Sequence, residues 1–121
     1  MAQTSISNTK YDLEERTAKF GENIILLCKK ISNNVVTMPL IHQLIKCATS
    51  IGANYCEADD AESRKDFKHK IGICKKESRE SKYFLRMLIV ATPEHEEELK
   101  IFRQEAKELN LIFNKIFQST S

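Results

Sequence analysis

The stretch that decides the fold is SIGANYCEADDAESRKDFKHKIGICKKESRESKYFL, residues 50–85. It holds Asn54, Glu57, Glu77 and Glu80 at helical spacings beside apolar positions. A helix normally keeps such side chains on its wet face, because burying an unpaired charge is costly. Polar residues beside an apolar stripe therefore indicate a specific contact with another helix or another subunit.

The 121 residues suit a single domain, residues 1–121, with a sizeable core. The chain is 41% apolar and 30% charged and has only three glycines and two prolines, so long helices are favoured over a turn-rich sheet. No apolar run is long enough to span a bilayer, and the start, MAQTSISNTK, has no hydrophobic signal core. We therefore expect a cytoplasmic protein without membrane contact.

Apolar residues at alternating steps of three and four predict four amphipathic helices, over residues of about 12–32, 39–61, 63–91 and 93–118. Their start signals are Asp12 with Glu15, then Pro39, then Ser63 with Asp66, and finally Thr92 with Pro93. On each helix these residues form one stripe, its seam, which we expect to face the core. In helix order, the four seams are Leu13, Thr17, Phe20, Ile24, Leu27 and Ile31; Ile41, Leu44, Ala48, Ile51, Tyr55 and Ala58; Phe67, Ile71, Cys74, Ser78, Ser81, Leu85 and Leu88; and Leu99, Phe102, Ala106, Leu109, Phe113 and Ile116. Short connections between such helices predict an all-α, up-down-up-down four-helix bundle.

The third predicted helix carries more than one apolar stripe. Beside its seam runs a second stripe, which consists of Ile73, Glu77, Glu80, Phe84 and Met87. Two adjacent stripes bury more surface than a monomer needs, so we expect a homo-oligomer.

A basic stripe on the same helix is the candidate nucleic-acid contact. Between Ser63 and Val90 there are nine Lys or Arg and three Asp or Glu, a local balance of +6. The stripe consists of Lys68, Lys75, Arg79, Lys82 and Arg86, and Tyr83 is the one aromatic residue near it. Cations spaced along a surface can follow a phosphate backbone without reading base edges. The alternative is a solvated face that pairs with acidic helices of neighbouring molecules.

A set of polar residues on the second and third helices is the other candidate site. The polar set consists of Gln43, Ser50, Asn54, Glu57, Glu77 and Glu80. We interpret it as a buried polar network or a subunit interface, with Lys70, Lys76 or Arg16 as partners. The alternative, a carboxylate-bridged metal site, lacks the Glu-x-x-His pairs of di-iron bundles, and the nearest approach is a single Asp66-x-x-His69.

The remaining reactive residues predict no catalysis and no cofactor. Cys28, Cys47, Cys56 and Cys74 form no Cys-x-x-Cys pair, which favours free buried thiols in a reducing compartment over a structural zinc site. The three histidines lie on different predicted helices, and there is no glycine-rich phosphate loop. We therefore expect a protein that is not an enzyme.

Residues spread over all four predicted helices form a further pattern. They are Glu15-Arg16-Thr17, Phe20, Gln43, Ser50-Ile51-Gly52-Ala53-Asn54-Tyr55, Glu57-Ala58, Ala61, Ser63, Asp66-Phe67, Lys70, Lys76-Glu77, Glu80, Tyr83-Phe84-Leu85, Glu105-Ala106 and Glu108-Leu109. Through these residues, most of the chain resembles the bacterial four-helix-bundle proteins encoded in intervening sequences of 23S ribosomal RNA genes. The resemblance implies a cytoplasmic, left-handed bundle that assembles into a ring, often of five subunits. The family is similar in fold to the basic pentameric accessory protein of diversity-generating retroelements, which works with a reverse transcriptase and RNA.

Residue pattern and resemblance together predict a non-enzymatic homo-oligomer, a pentamer, that contacts RNA or DNA through the third helix. The alternative prediction is a scaffold or adaptor whose ring binds a protein partner, with the charges serving assembly only.

Overall fold

Four α-helices make up the computed structural model, which describes residues 8–121, with side chains from residue 12 onwards. They are α1 (Asn8–Lys30), α2 (Thr37–Asp59), α3 (Arg64–Ala91) and α4 (Glu96–Ser119). A 3-10 turn, Pro93–His95, precedes α4, and no strand occurs in the described part of the chain. The fold is therefore all-α, as predicted, while residues 1–7 of the predicted domain lie outside the described residues.

The four predicted seams meet in one core. Nearly every seam residue is buried, and only Ile41, Phe67, Phe102 and Ile116 keep part of their side chains exposed. Such a shared core is what a four-helix bundle requires, because each helix is apolar on one side only.

Hydroxyl residues lie in this core without leaving a polar group unpaired. Thr17 Oγ1 donates to the Leu13 carbonyl at 2.7 Å, and Ser81 Oγ donates to the Glu77 carbonyl at 2.9 Å. Each bond returns to the residue four positions earlier on the same helix, so the side chain satisfies itself locally. The seam can therefore include small polar residues, which let neighbouring helices approach closely.

The observed helix starts confirm one predicted cap and correct the others. Ser63 Oγ accepts the Asp66 N–H at 3.0 Å, and this N-cap sets the start of α3. α1, however, begins four residues before Asp12. The prediction that Thr92 caps α4 is wrong, because α4 begins at Glu96, after the 3-10 turn, and the Thr92 side chain accepts no N–H there. Its hydroxyl donates instead to the Leu88 carbonyl at 2.8 Å, at the end of α3.

The start of α2 is corrected by two residues, from Pro39 to Thr37. Asn34 Oδ1 accepts the N–H groups of Val36 and Thr37, both at 2.9 Å. Thr37 Oγ1 in turn donates to the Ser32 carbonyl at 2.7 Å. These bonds satisfy amide groups at the helix start before the proline is reached.

α1 and α4 meet differently from the other neighbouring helices. α1 packs chiefly on α2 and touches α4 only sparsely. A cleft of about 480 Å³ lies between α1 and α4, with Phe20, Ile101 and Phe102 among its lining residues. Ion pairs span this edge, since Arg16 binds Glu105 and Lys30 binds Glu98 at 2.7 Å.

Candidate nucleic-acid interface

The basic stripe of α3 lies at the protein surface and is partly covered. Lys68, Lys75 and Lys82 are half-buried, whereas Arg79 and Arg86 are exposed. Among residues 12–121, no carboxylate forms an ion pair with any of these five side chains. Their positive charge is therefore not neutralised by an ion pair with any of the described residues.

Phe117 of α4 packs onto the stripe, which the sequence pattern did not predict. The Nζ atoms of Lys68 and Lys75 lie 4.7 Å and 4.9 Å from the centre of the Phe117 ring. Gly72 lies between these lysines and leaves room for the ring, since a Cβ atom there would be 3.1 Å from Phe117 Cε1. The ring face attracts both cations and holds the first half of the stripe beside α4.

Asn110, also on α4, is a second residue that the sequence pattern missed. Its Nδ2 donates to the Lys75 carbonyl at 2.8 Å and to Ser78 Oγ at 3.3 Å. These bonds fix the register of α4 against the middle of α3. The first half of the stripe therefore lies against α4 and is not an isolated helix face.

Members of the polar set lie along α2 and α3 but are not buried together within one chain. Gln43, Glu57 and Glu80 are exposed, and only Ser50, Asn54 and Glu77 are half-buried. An exposed carboxylate keeps its hydration, so the single chain does not need to bury these charges. Within the single chain the polar set is therefore only partly buried, and the buried polar network or subunit interface stays a prediction.

Contacts within the polar set are local or pairwise. Asn54 Nδ2 donates to the carbonyl of Ser50 at 2.9 Å. Glu57 binds Lys70, one of its predicted partners, in an ion pair between α2 and α3. Arg16, another predicted partner, instead donates to both oxygens of Glu105 at 2.7 Å and 2.9 Å, through Nε and Nη2.

Glu77 is partly buried and lies close to a like charge. Burial raises its pKa above the ordinary value, the nearby Glu80 carboxylate raises it further, and Lys76 opposes the shift. Glu77 and Glu80 are three residues apart, a spacing that brings like charges together on one helix. Their repulsion marks this part of the α2–α3 surface as incompletely compensated within one chain.

The cysteines and possible metal ligands form no reactive centre in the described residues. Cys28, Cys47 and Cys74 are free and buried, as expected, and Cys56 is free and exposed. Burial raises the pKa of Cys28 and Cys47 to about 11 and that of Cys74 to about 12, which keeps them as inert thiols. Across residues 12–121, no group of three His, Cys, Asp or Glu side chains is arranged to hold a metal ion.

The four described helices were also compared with the requirements of a membrane-spanning segment. None of them combines the length and the apolar character that a bilayer-spanning segment requires.

Comparison with known proteins gives a family and a similar fold. The sequence profile of the 23S rRNA-intervening sequence protein family matches residues 9–115. The structure is similar to the crystal structure of a protein of unknown function from the S23 ribosomal protein family of Bacteroides thetaiotaomicron. The two have a TM-score of 0.78 and 29% identity, over 88% of this chain and 99% of that one. Among curated proteins, no match is found.

Proposed function

This chain belongs to the 23S rRNA-intervening sequence protein family, and we propose that it acts as a non-enzymatic, nucleic-acid-binding accessory protein. The observation that carries the proposal is the basic stripe of α3, whose five cations have no intrachain ion pair in the described structure. Aligned like charges repel one another, and a phosphate backbone supplies the missing counter-charge.

Phosphate contact also suits the geometry of the stripe. Lys68, Lys75 and Lys82 recur every seven residues, or about 10.5 Å along the helix axis. Evenly spaced cations on a rigid helix can neutralise several phosphates of one backbone, which fixes the orientation of the nucleic acid without reading its sequence. A ring of subunits would repeat this track and strengthen its field.

The experiment that tests the proposal is RNA and DNA binding at rising salt, for the wild type and for Lys75→Glu/Arg79→Glu/Lys82→Glu. Wild-type affinity should fall linearly on a log–log salt plot, with a slope of about −0.7 per phosphate for single strands and −0.9 for duplexes. The triple variant should not bind.

A matched control separates a specific face from a change of net charge. Lys19→Glu/Lys29→Glu/Lys115→Glu makes the same charge change at exposed positions of α1 and α4. It should keep most of the affinity of the wild type. Equal loss in both triple variants would mean that net charge, and not the stripe, accounts for binding.

For the assembled form we propose a cytoplasmic ring-shaped homo-oligomer, a pentamer, of left-handed up-down-up-down bundles. Support comes from the second stripe of α3, in which Ile73, Phe84 and Met87 are only partly buried in the single chain. The polar set beside it would lie at the subunit contact. Sedimentation at micromolar concentration tests this, because a 14.0 kDa species would contradict it. If Glu80→Leu no longer assembles, the polar set contributes to the subunit contact. If Glu80→Leu assembles like the wild type, the polar set has no role in that contact.

A protein-binding scaffold is the second candidate function. It is favoured by large apolar side chains exposed on the single chain, such as Leu26, Met38 and Ile101. A folded oligomer that binds neither RNA nor DNA at low salt would reject the first function and leave this one.

A further inference from the structure

Phe117 of α4 joins two cations of the basic stripe into one cluster. The Nζ atoms of Lys68 and Lys75 lie 4.7 Å and 4.9 Å from the centre of its ring. The two ammonium groups can therefore be no farther apart than these two distances added together. Cation–π attraction thus holds two long, flexible side chains beside one rigid ring.

Helix α3 is shaped to receive this ring. Lys68 and Lys75 stand four residues before and three residues after Gly72, so all three share one side of the helix. A Cβ atom at Gly72 would lie 3.1 Å and 3.6 Å from Cε1 and Cδ1 of Phe117. The edge of the ring therefore fills the space that the glycine leaves between the two lysines. The bond from Asn110 to the Lys75 carbonyl, at 2.8 Å, keeps α4 in this register.

The contact with the ring leaves both cations able to bind an anion. Neither Lys68 nor Lys75 forms an ion pair with a carboxylate of the described residues, and both residues are only half-buried. An ammonium group has three N–H donors, and the ring occupies only part of its surface. A phosphate oxygen can therefore bind from the solvent side while the ring stays in contact.

An ordered lysine binds a phosphate at a smaller cost than a free one. A side chain that becomes immobilised on binding loses rotamer freedom, and lysine is among the side chains that lose most. Lys68 and Lys75 have already lost part of this freedom in the unbound protein, because Phe117 holds them. The ring should therefore raise affinity without touching the ligand.

We propose that Phe117 is a positioning residue of the nucleic-acid site, which holds the ammonium groups of Lys68 and Lys75 where they contact nearby phosphates of one backbone. The inference rests on the proposed nucleic-acid function and adds to it a residue of α4. It also separates the stripe into two parts, since these two lysines are placed by the ring and the remaining cations are not.

The test measures binding of a fluorescein-labelled RNA oligonucleotide, and of the DNA of the same sequence, by anisotropy over a range of salt concentrations. Phe117→Leu should weaken binding about tenfold, or about threefold for each lysine that loses its placement. The salt slope should stay the same, because the number of cations is unchanged. Phe117→Tyr keeps the ring face and should bind like the wild type.

Phe102→Leu is the matched control, because it makes the same change at a partly buried phenylalanine of α4 that lines the α1–α4 cleft. It should leave the affinity unchanged. A double-mutant cycle then separates positioning from a general effect on the fold. In the Lys68→Gln/Lys75→Gln background, Phe117→Leu should cause no further loss of affinity, whereas a merely structural role would cost the same in both backgrounds.

Proton NMR of the lysine side chains checks the contact in the complex itself. The ring should shift the Hε signals of Lys68 and Lys75 upfield in the free protein, and this shift should be absent from Phe117→Leu. The shift should persist when RNA is bound. If it disappears on binding, the cations leave the ring to reach the phosphates, and the inference is overturned.

The outcomes also distinguish this inference from the proposed function. Circular dichroism and sedimentation verify that every variant folds and assembles like the wild type. If Phe117→Leu binds as tightly as the wild type while Lys75→Glu/Arg79→Glu/Lys82→Glu does not bind, the proposed function stands and the inference is overturned. Equal losses in Phe117→Leu and Phe102→Leu overturn it as well. A wild type that binds neither RNA nor DNA overturns both.

Discussion

The substitution Gly72→Ala should have two opposing effects of similar size on the stability of the fold. Alanine in a helix interior is more favourable than glycine by about 0.8–1.0 kcal/mol. The new Cβ, however, would lie 3.1 Å from Phe117 Cε1, which forces the ring to move by a few tenths of an ångström. The movement weakens the contacts of Lys68 and Lys75 with the ring, each worth about 0.5–1 kcal/mol at an exposed site. We therefore expect a net change in unfolding free energy close to zero.

Gly21→Ala is the matched control, because no aromatic ring lies against this glycine. The nearest heavy atoms to a Cβ at Gly21 belong to Thr49 and lie 3.6 Å away, an ordinary van der Waals contact. The full gain of about 1 kcal/mol in helix propensity should therefore appear, and it should raise the melting temperature by about 4 °C. The difference between Gly21→Ala and Gly72→Ala measures what the displaced ring costs.

The assay is urea and thermal unfolding followed by circular dichroism, at one protein concentration because any assembly makes stability concentration-dependent. A double-mutant cycle with Phe117→Ala isolates the ring. In the Phe117→Ala background, Gly72→Ala should stabilise by about 1 kcal/mol. If Gly72→Ala already stabilises the wild type as much as Gly21→Ala does, the ring is not held on Gly72 and the reasoning is refuted.

Three further predictions concern charge and capping. Glu77→Gln should stabilise the fold by about 0.2–0.5 kcal/mol at pH 7, a typical like-charge penalty, whereas Glu22→Gln should not. Because folding raises the pKa of Glu77, this gain should disappear in unfolding curves as the pH falls below about 4.5. Arg16→Met should lower the free energy of unfolding by about 1 kcal/mol, because the ion pair with Glu105 is lost. The loss should be smaller in acid, where the carboxylate partners of Arg16 become protonated. A loss of the same size at pH 3 would contradict the ion-pair account. Ser63→Ala should cost about 1 kcal/mol in urea unfolding, and Ser63→Asp should restore it.

Periodicity was enough to predict the fold because a helix seam depends only on residues three and four apart. It placed even Thr17, Ser78 and Ser81 in the core, where each hydroxyl bonds to a carbonyl of its own helix. Helix starts were predicted less well, since one hydroxyl can serve either of two consecutive helices. The Thr92 oxygen could accept an N–H at the start of α4, or its O–H could donate to a carbonyl at the end of α3, and only the geometry of the turn decides between them.

The surroundings of the basic stripe could be predicted only in part, because they come from two helices. The stripe itself follows from spacing within α3. Phe117 and Asn110 reach it only through the register of α4 against α3, which no local pattern encodes. The same limit applies to Arg16, whose partner Glu105 lies 89 residues away in sequence.

The α1–α4 edge has a consequence for how the bundle opens. Helix α1 packs on α2 through its buried apolar seam, but it meets α4 only sparsely, through ion pairs beside an open cleft, whereas α3 packs closely on both of its neighbours. Backbone amides of α1 should therefore exchange with solvent deuterium sooner than those of α3, and sooner still at high salt or low pH. A helix that detaches as a unit can also be exchanged between neighbouring copies. In an assembly, α1 is therefore the helix that we expect to be domain-swapped.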